Sequence, residues 1–284
     1  MSFQIIGAGL AGAVAFAYYK VAYASEGPQG KPIFSSFGPK SLKVHSTELI
    51  NHNTKKIRFE LPDKSQTSGL GLCSSLLTIS FPGGGVLPCP RPYTPTNDLD
   101  EKGYLELMVK HYPGGKGSTA LHALKPGDRL TCLPIPAFKW APNKFSHVAM
   151  IAGGAGITPM WQLAQGILKN PDDHARISLV WGVNTDSDIF LKDQFDALEK
   201  KYPNRFKVTY VVADKDSKSP YEKGFVTAEL LEKLGLRHGP PRNNGTHVLV
   251  CGPPPMDKAL TGGKGGSGLL SKLGYKDTDI TALR

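Results

Sequence analysis

The strongest constraint on the fold is a change of texture near His147. Before it, short β-rich runs at residues 42–48, 55–61, 76–81, 104–112 and 129–133 are punctuated by Gly, Pro and Asn, with one short helix at 118–124. Tyr104-Leu105-Glu106-Leu107-Met108-Val109-Lys110 partly alternates, as a half-buried antiparallel strand should, and runs at this spacing predict a small antiparallel barrel. After it, strands at 147–152, 177–183, 206–212 and 247–251 alternate with helices at 159–168, 188–201 and 227–234. That alternation predicts a parallel sheet with right-handed crossovers and helices on both faces. Ligands in such a sheet lie beyond the carboxyl ends of the strands, where Gly153 and Cys251 fall. A chain of 284 residues suits two such domains. They are expected at 40–143 and 144–284, after an apolar segment at 1–24 and a linker at 25–39.

Composition removes several classes of function. The formal net charge of +10 is compatible with nucleic acid, an anionic membrane or an acidic protein partner. The basic residues are scattered, with no run of five and no aromatic-interleaved ribbon, so nucleic-acid binding is not expected. A surface for an acidic electron acceptor and a merely solvated basic surface both stand. Cys73, Cys89, Cys132 and Cys251 have neither metal-ligand spacing nor disulfide density, and the histidines form no companion pattern. Free thiols and no protein-bound metal are expected.

Gly7-Ala8-Gly9-Leu10-Ala11-Gly12, with Glu26 downstream, matches a dinucleotide fingerprint. The loop Gly27-Pro28-Gln29-Gly30-Lys31-Pro32 offers no third parallel strand to support it. Residues 3–19 are uncharged and largely apolar, then meet Lys20, which reads as a single-pass membrane anchor completed by residues 21–24. A cleaved targeting segment ending at Ala22-Tyr23-Ala24 and a buried helix are the alternatives.

Three motifs carry chemistry. In Arg91-Pro92-Tyr93-Thr94, the guanidinium can fork onto a diphosphate, Pro92 forces extended backbone at Arg91, Tyr93 offers a ring plane and Thr94 a hydroxyl. An edge strand with an incidental Arg is the plain alternative. Gly114-Gly115-Lys116-Gly117-Ser118-Thr119 opens the short helix, where free amides and the helix dipole favour phosphate. Lys110 stands where a P-loop needs Gly, which excludes nucleotide hydrolysis. Gly153-Gly154-Ala155-Gly156-Ile157-Thr158-Pro159-Met160 allows a tight turn and close backbone approach to a dinucleotide. Pro159 near the helix start also fits plain helix initiation. Cys251-Gly252-Pro253-Pro254-Pro255-Met256 ends the last of these strands at the same crevice, although Cys251 also reads as a buried structural thiol.

Taken in order, with Leu107-Met108-Val109-Lys110-His111-Tyr112 between them, these motifs resemble the ferredoxin-reductase-type flavoproteins, in particular the NADH-cytochrome b5 reductase family and its membrane-anchored mitochondrial fungal form. The resemblance spans about residues 40–279. It implies an FAD-binding Greek-key barrel followed by an NADH-binding α/β domain, with hydride transfer from NADH and release of single electrons to a haem protein such as cytochrome b5. Arg91 and Pro92 would lie at the FAD pyrophosphate, Tyr93 on the flavin ring and Thr94 near its N5. Met108 and Lys110 would contact the flavin or its ribityl chain, and Lys116, Gly117 and Ser118 the phosphates. Gly153, Gly154, Gly156, Thr158, Pro159, Cys251, Gly252, Pro253 and Met256 would shape the NADH crevice, with Thr94 and Cys251 at the reacting centre. The resemblance further implies a monomer on the mitochondrial outer membrane, or next the endoplasmic reticulum. A tethered binding or adaptor protein without turnover, or a reductase of a quinone or ferric acceptor, are the alternatives. The chain departs from the family at Ala155, commonly Thr, and at Leu133-Pro134, commonly Gly-Pro. It departs also at Thr281-Ala282-Leu283-Arg284, where an aromatic tail is usual, implying a difference in flavin exposure or acceptor. No acid favouring NADH over NADPH is found around Ser219-Pro220-Tyr221-Glu222.

Overall fold

The computed structural model describes residues 31–35, 38–136, 138–214, 218–237, 245–263 and 266–283. The expected anchor at 1–24 and the glycine fingerprint at 7–12 lie outside the described residues. The chain divides into two compact units, one comprising Met1–Glu48 and Lys55–Pro136, the other Leu49–Thr54 and Ala137–Arg284. Sequence reading set the boundary at 143/144. The segment before it is tied to the second unit by Trp140 Nε1 and the Asn143 amide, which donate to the Asp173 carboxylate at 2.7 and 3.3 Å.

The first unit contains β1 (Lys40–Leu49), β2 (Thr54–Glu60), β3 (Ser74–Ser80), β4 (Cys89–Tyr93), β5 (Tyr104–Lys110), helix α1 (Lys116–Ala123) and β6 (Arg129–Pro136). They form one six-stranded sheet in the order β4-β3-β6-β1-β2-β5. A bridge between Pro95 and Leu107, with the Thr96 amide donating to Glu106 O at 2.9 Å, joins the two edges and curls the sheet into a half-barrel. Alternation fills the interior: Leu105, Leu107 and Val109 on β5 are buried and join Leu42, Phe59 and Leu76 in one core. β4 is the edge strand that stood as the plain alternative for this segment; Pro90 and Pro92 remove two amides, which a sheet edge tolerates. Lys55 Nζ donates to His122 O and Leu124 O at 2.8 and 2.9 Å and so caps the C-terminal end of α1.

The second unit runs β7 (His147–Gly153), α2 (Ile157–Lys169), β8 (Arg176–Val183), α3 (Lys192–Lys201), β9 (Phe206–Val212), β10 (Glu222–Lys223), α4 (Ala228–Lys233), β11 (Thr246–Cys251), α5 (Pro254–Thr261), α6 (Leu269–Lys272) and β12 (Ile280–Ala282). The sheet order is β10-β9-β8-β7-β11-β12, with parallel pairing throughout. Its central strands β7 and β11 are buried on both sides, which explains their near-continuous apolar runs. The helix expected at 188–201 is two pieces. Thr185 and Asp188 cap a separate 3-10 turn, Asp186–Asp188, before α3 begins.

At the amino ends of β7 and β11 sit two histidines held neutral. His147 is within 3.1 Å of Thr246 Oγ1 and 2.9 Å of Ser178 Oγ, and burial, aided by Arg176, pulls its pKa down to about 4. His247 stacks on Phe138 and, at 4.3 Å, on Phe145; burial, then Lys144, lowers it also to about 4. The unfolded chain therefore binds more protons than the folded one below the ordinary value of 6.5, and stability falls as pH drops from 6.5 towards 4. By pH 5 the loss is roughly 2 kcal/mol per histidine. Urea unfolding at pH 7 and pH 5 should show it, and H247F should recover about half; equal midpoints would contradict this account of the stack.

Candidate functional site

In the first unit the expected residues converge on the strands the bridge brings together. On β4, Cys89, Arg91 and Tyr93 alternate with the two prolines and pair with Ser80, Thr78 and Leu76 of β3. Arg91 is exposed at the sheet edge, with Nη1 donating to Pro90 O at 2.8 Å. The first turn of α1 packs on its stem: a Cβ on Gly117 would lie 2.7 Å from Arg91 Cγ and 3.6 Å from Cys89 Sγ. Only glycine leaves that room, so the stem of Arg91 packs against the start of the helix. The first intrahelical bond runs from the Thr119 amide to Gly115 O, and Gly115 supplies no side-chain cap. The amides of Lys116, Gly117 and Ser118 are thus left for an external acceptor. A cation beside a helix N-terminus is a diphosphate cradle, and its residues fit the pyrophosphate of FAD.

The hydroxyl of Ser118 is committed within the loop. Its hydroxyl donates to Gly115 O at 3.1 Å and accepts from the Tyr112 amide at 3.2 Å, so it braces the glycine loop and leaves its amide for phosphate. The helix starts at Lys116 rather than 118, with Ser118 as its third residue instead of its first.

Tyr93 packs against the barrel core, and burial pushes its phenol up to about 12, so the ring is neutral. Thr94 is 5% exposed and shares a 2.8 Å hydrogen bond with Ser75 Oγ, a partner that sequence reading missed. Extending the Pro95–Leu107 register by one residue sets Thr94 across from Met108. Met108 and Lys110 lie on the face of β5 opposite the core residues Leu107 and Val109. Lys110 is nonetheless only 7% exposed.

In the second unit the sheet order reverses between β7 and β11, the switch point at which parallel sheets bind ligands. Ala152 pairs with Cys251, so the two glycine motifs leave the sheet side by side. They interlock. A Cβ on Gly156 would overlap the Cys251 carbonyl, one on Gly153 would meet Met256 Sδ and lie 2.9 Å from Pro253 Cδ, and one on Gly252 would lie 3.2 Å from Gly153 Cα. Gly154 takes a left-handed φ of +52°, and its carbonyl accepts from Trp181 Nε1 at 3.0 Å, anchoring the turn to a fully buried side chain. Thr158 Oγ1 donates to Ala155 O at 3.2 Å, and Pro159 occupies the first turn of α2, where no amide is needed. Burial, then Asp257, pushes the Cys251 thiol up to about 12, so it is a neutral wall and no thiolate.

Two further groups emerge beyond the carboxyl ends of the strands. Asp214 follows the end of β9, with its amide donating to Asn184 O at 3.1 Å, and is exposed. Phe225 is 73% exposed and follows β10. An acid just past a strand end is the position that holds a ribose in dinucleotide-binding sheets. The signal was legible, since the strand at 206–212 was read correctly and Asp214 is the first acid after it.

Comparison with known proteins agrees with both half-sites. Residues 41–139 match the model for the oxidoreductase FAD-binding domain, and residues 150–261 match that for the oxidoreductase NAD-binding domain. NADH-cytochrome b5 reductase 2 of Pyricularia oryzae is 45% identical over 248 residues, covering 84% of this chain and 74% of that protein. The protein of the same name from Emericella nidulans is 41% identical over 276 residues, covering 93% and 85%. Among solved structures, the cytochrome b5 reductase domain of Ulva prolifera nitrate reductase superposes with a TM-score of 0.78 at 29% identity, covering 88% of this chain and 99% of that one.

Proposed function

The chain belongs to the NADH-cytochrome b5 reductase family, and from that premise we propose that it is an FAD-dependent oxidoreductase that takes a hydride from NADH and passes single electrons to cytochrome b5. The observation that carries this reading is the pair of cradles, one of Arg91 and Gly117 for a flavin diphosphate and one of Gly153, Gly156 and Gly252 for a nicotinamide dinucleotide. When bound, the flavin supplies the chemistry, accepting an electron pair as hydride and releasing electrons one at a time.

The residues of the chain bind, orient and exclude water. Arg91 and the α1 amides fix the diphosphate, and the neutral Tyr93 ring gives the flavin an uncharged plane. The Thr94 hydroxyl, oriented by Ser75, would meet the flavin edge with little rotor entropy left to lose. The glycine corner admits the nicotinamide close to backbone, and the un-ionised Cys251 gives it a neutral wall. The purified chain should be yellow, bleach on anaerobic addition of NADH and turn over ferricyanide. A colourless protein that takes up no FAD would refute the reading.

Asp214 would accept the adenosine ribose hydroxyls of NADH and repel the 2′-phosphate of NADPH. D214S should raise the kcat/KM ratio of NADPH to NADH by about tenfold or more, one lost charge repulsion being worth roughly 1–2 kcal/mol near a protein surface. An unchanged ratio would remove Asp214 from the site.

The reading extends to a monomer held on the mitochondrial outer membrane, with the endoplasmic reticulum second, by residues 1–24. Its support is the uncharged run at 3–19. Among the described residues no helix is long and apolar enough to cross a membrane. Alkaline carbonate extraction of fractionated mitochondria tests it: the chain should stay in the pellet, and release into the supernatant would reject the anchor.

A further inference from the structure

We propose that Glu106 takes one proton from solvent when the flavin is reduced and returns it on reoxidation, a role that rests on the flavin reading above. Position comes first. From Arg91 to Thr94 the chain runs from the diphosphate end of the cradle towards the ring end. The Thr96 amide donates to Glu106 O at 2.9 Å, next to the Pro95–Leu107 bridge, and Leu107 belongs to the core. Thr96 and Glu106 are therefore the next facing pair beyond Thr94 and Met108, on the same outer face and one strand period, about 7 Å, further along.

The carboxylate there is enclosed and weakly held. Its side chain is 12% exposed, and its contacts are long: Oε1 lies 3.5 Å from Thr96 Oγ1, and Oε2 3.7 Å from Arg58 Nη1. Arg58 is spent elsewhere. Its Nη2 bonds Glu101 at close range, and its guanidinium lies 4.3 Å over the Tyr104 ring. Lys56 on β2 adds attraction, Glu101 adds repulsion, and Lys110 stands further along the same face of β5. Burial outweighs the cations and raises the carboxyl above its ordinary value of 4.5. One more negative charge a strand period away favours the protonated form again, by about tenfold or more.

Hydride from NADH brings two electrons and one proton, so the flavin gains one negative charge. The proton that Glu106 takes from water offsets it. When two electrons have left singly to the haem protein, the proton that came with hydride and the proton on Glu106 both return to solvent. Each cycle then converts one NADH to NAD+, reduces two haems and releases one net proton.

Redox-dye titration of the flavin-loaded full chain across a pH series reads this coupling. At fixed potential, hydride equivalents alone change the ratio of reduced to oxidised flavin about tenfold per pH unit, and a second proton makes that about 100-fold. The parent should show the steeper dependence over an interval above the ordinary carboxyl value, and E106Q the shallower one throughout. E101Q, which frees Arg58 for Glu106, should keep the steep interval and move it to lower pH. Reduced-minus-oxidised infrared spectra of the parent should carry the C=O band of a protonated carboxyl, absent from E106Q. Equal pH dependence in parent and E106Q would place any second proton on the flavin and overturn the proposal, as would a parent spectrum without that band. A chain that takes up no FAD would overturn the flavin reading and this role together, whereas a yellow chain with either of those results overturns the role alone.

Discussion

Replacing Gly156 by alanine is expected to cut kcat/KM for NADH by about 100-fold while FAD stays bound, since a misplacement near 1 Å at a reacting centre costs about that much. The new Cβ would overlap the Cys251 carbonyl and lie 3.0 Å from the Gly252 amide nitrogen, so every neighbour that must yield is backbone. Relief requires shearing β7 from β11 at the Ala152–Cys251 pair, which opens the corner the nicotinamide needs. The flavin cradle belongs to the other unit and keeps its residues. Gly182 provides the control, because a Cβ there would meet only ordinary contacts at 3.7 Å with Ala152 O and 3.8 Å with Val226 Cγ2. Anaerobic stopped-flow bleaching by NADH separates the two, with G182A close to the parent and G156A slow. A G156A protein bleaching at the parental rate would mean that this corner is not where the nicotinamide sits.

The second large effect is at Arg91. R91A should lower FAD affinity roughly 100-fold, the equivalent of about 3 kcal/mol for a bidentate charge-assisted pair. Little else should change, because Arg91 is exposed and its side chain bonds within the chain to Pro90 O. R91K should recover only part of the loss, since an ammonium brings charge without the fork. Titration of FAD into flavin-free protein, followed by quenching of flavin fluorescence, measures both. The melting temperature of R91A should become strongly dependent on added FAD, as mass action requires for a weakened ligand. Parental affinity in R91A would locate the diphosphate elsewhere.

What was legible in the sequence follows from which signals are local. Residues 206–212 read as a strand to the residue because Phe206, Val208 and Tyr210 alternate with Lys207 and Thr209 before the apolar pair Val211-Val212. Arg91, Gly117, Gly153 and Gly156 were legible as chemistry because the side chain, or its absence, is the signal. Proline marks two elements whose bounds the sequence did not give: β4 carries Pro90 and Pro92 at a sheet edge, and α5 opens on Pro254 and Pro255, where no amide is needed. β12 is too short to show any period. Long-range facts stayed hidden. Nothing near Thr94 announces Ser75, and the spending of the Ser118 hydroxyl on Gly115 and Tyr112 appears only once the loop is folded.

The central claim is that electrons enter as a pair from NADH and leave singly to a haem protein. The most direct measurement is a double-mixing stopped-flow experiment, in which flavin-loaded chain is reduced by one equivalent of NADH without oxygen and then mixed with two equivalents of oxidised cytochrome b5. The account predicts loss of flavin absorbance in the first mix, then haem reduction in step with recovery of flavin colour, two haems reduced per NADH. A flavin that does not bleach, or one that bleaches and leaves the haem oxidised, would contradict it.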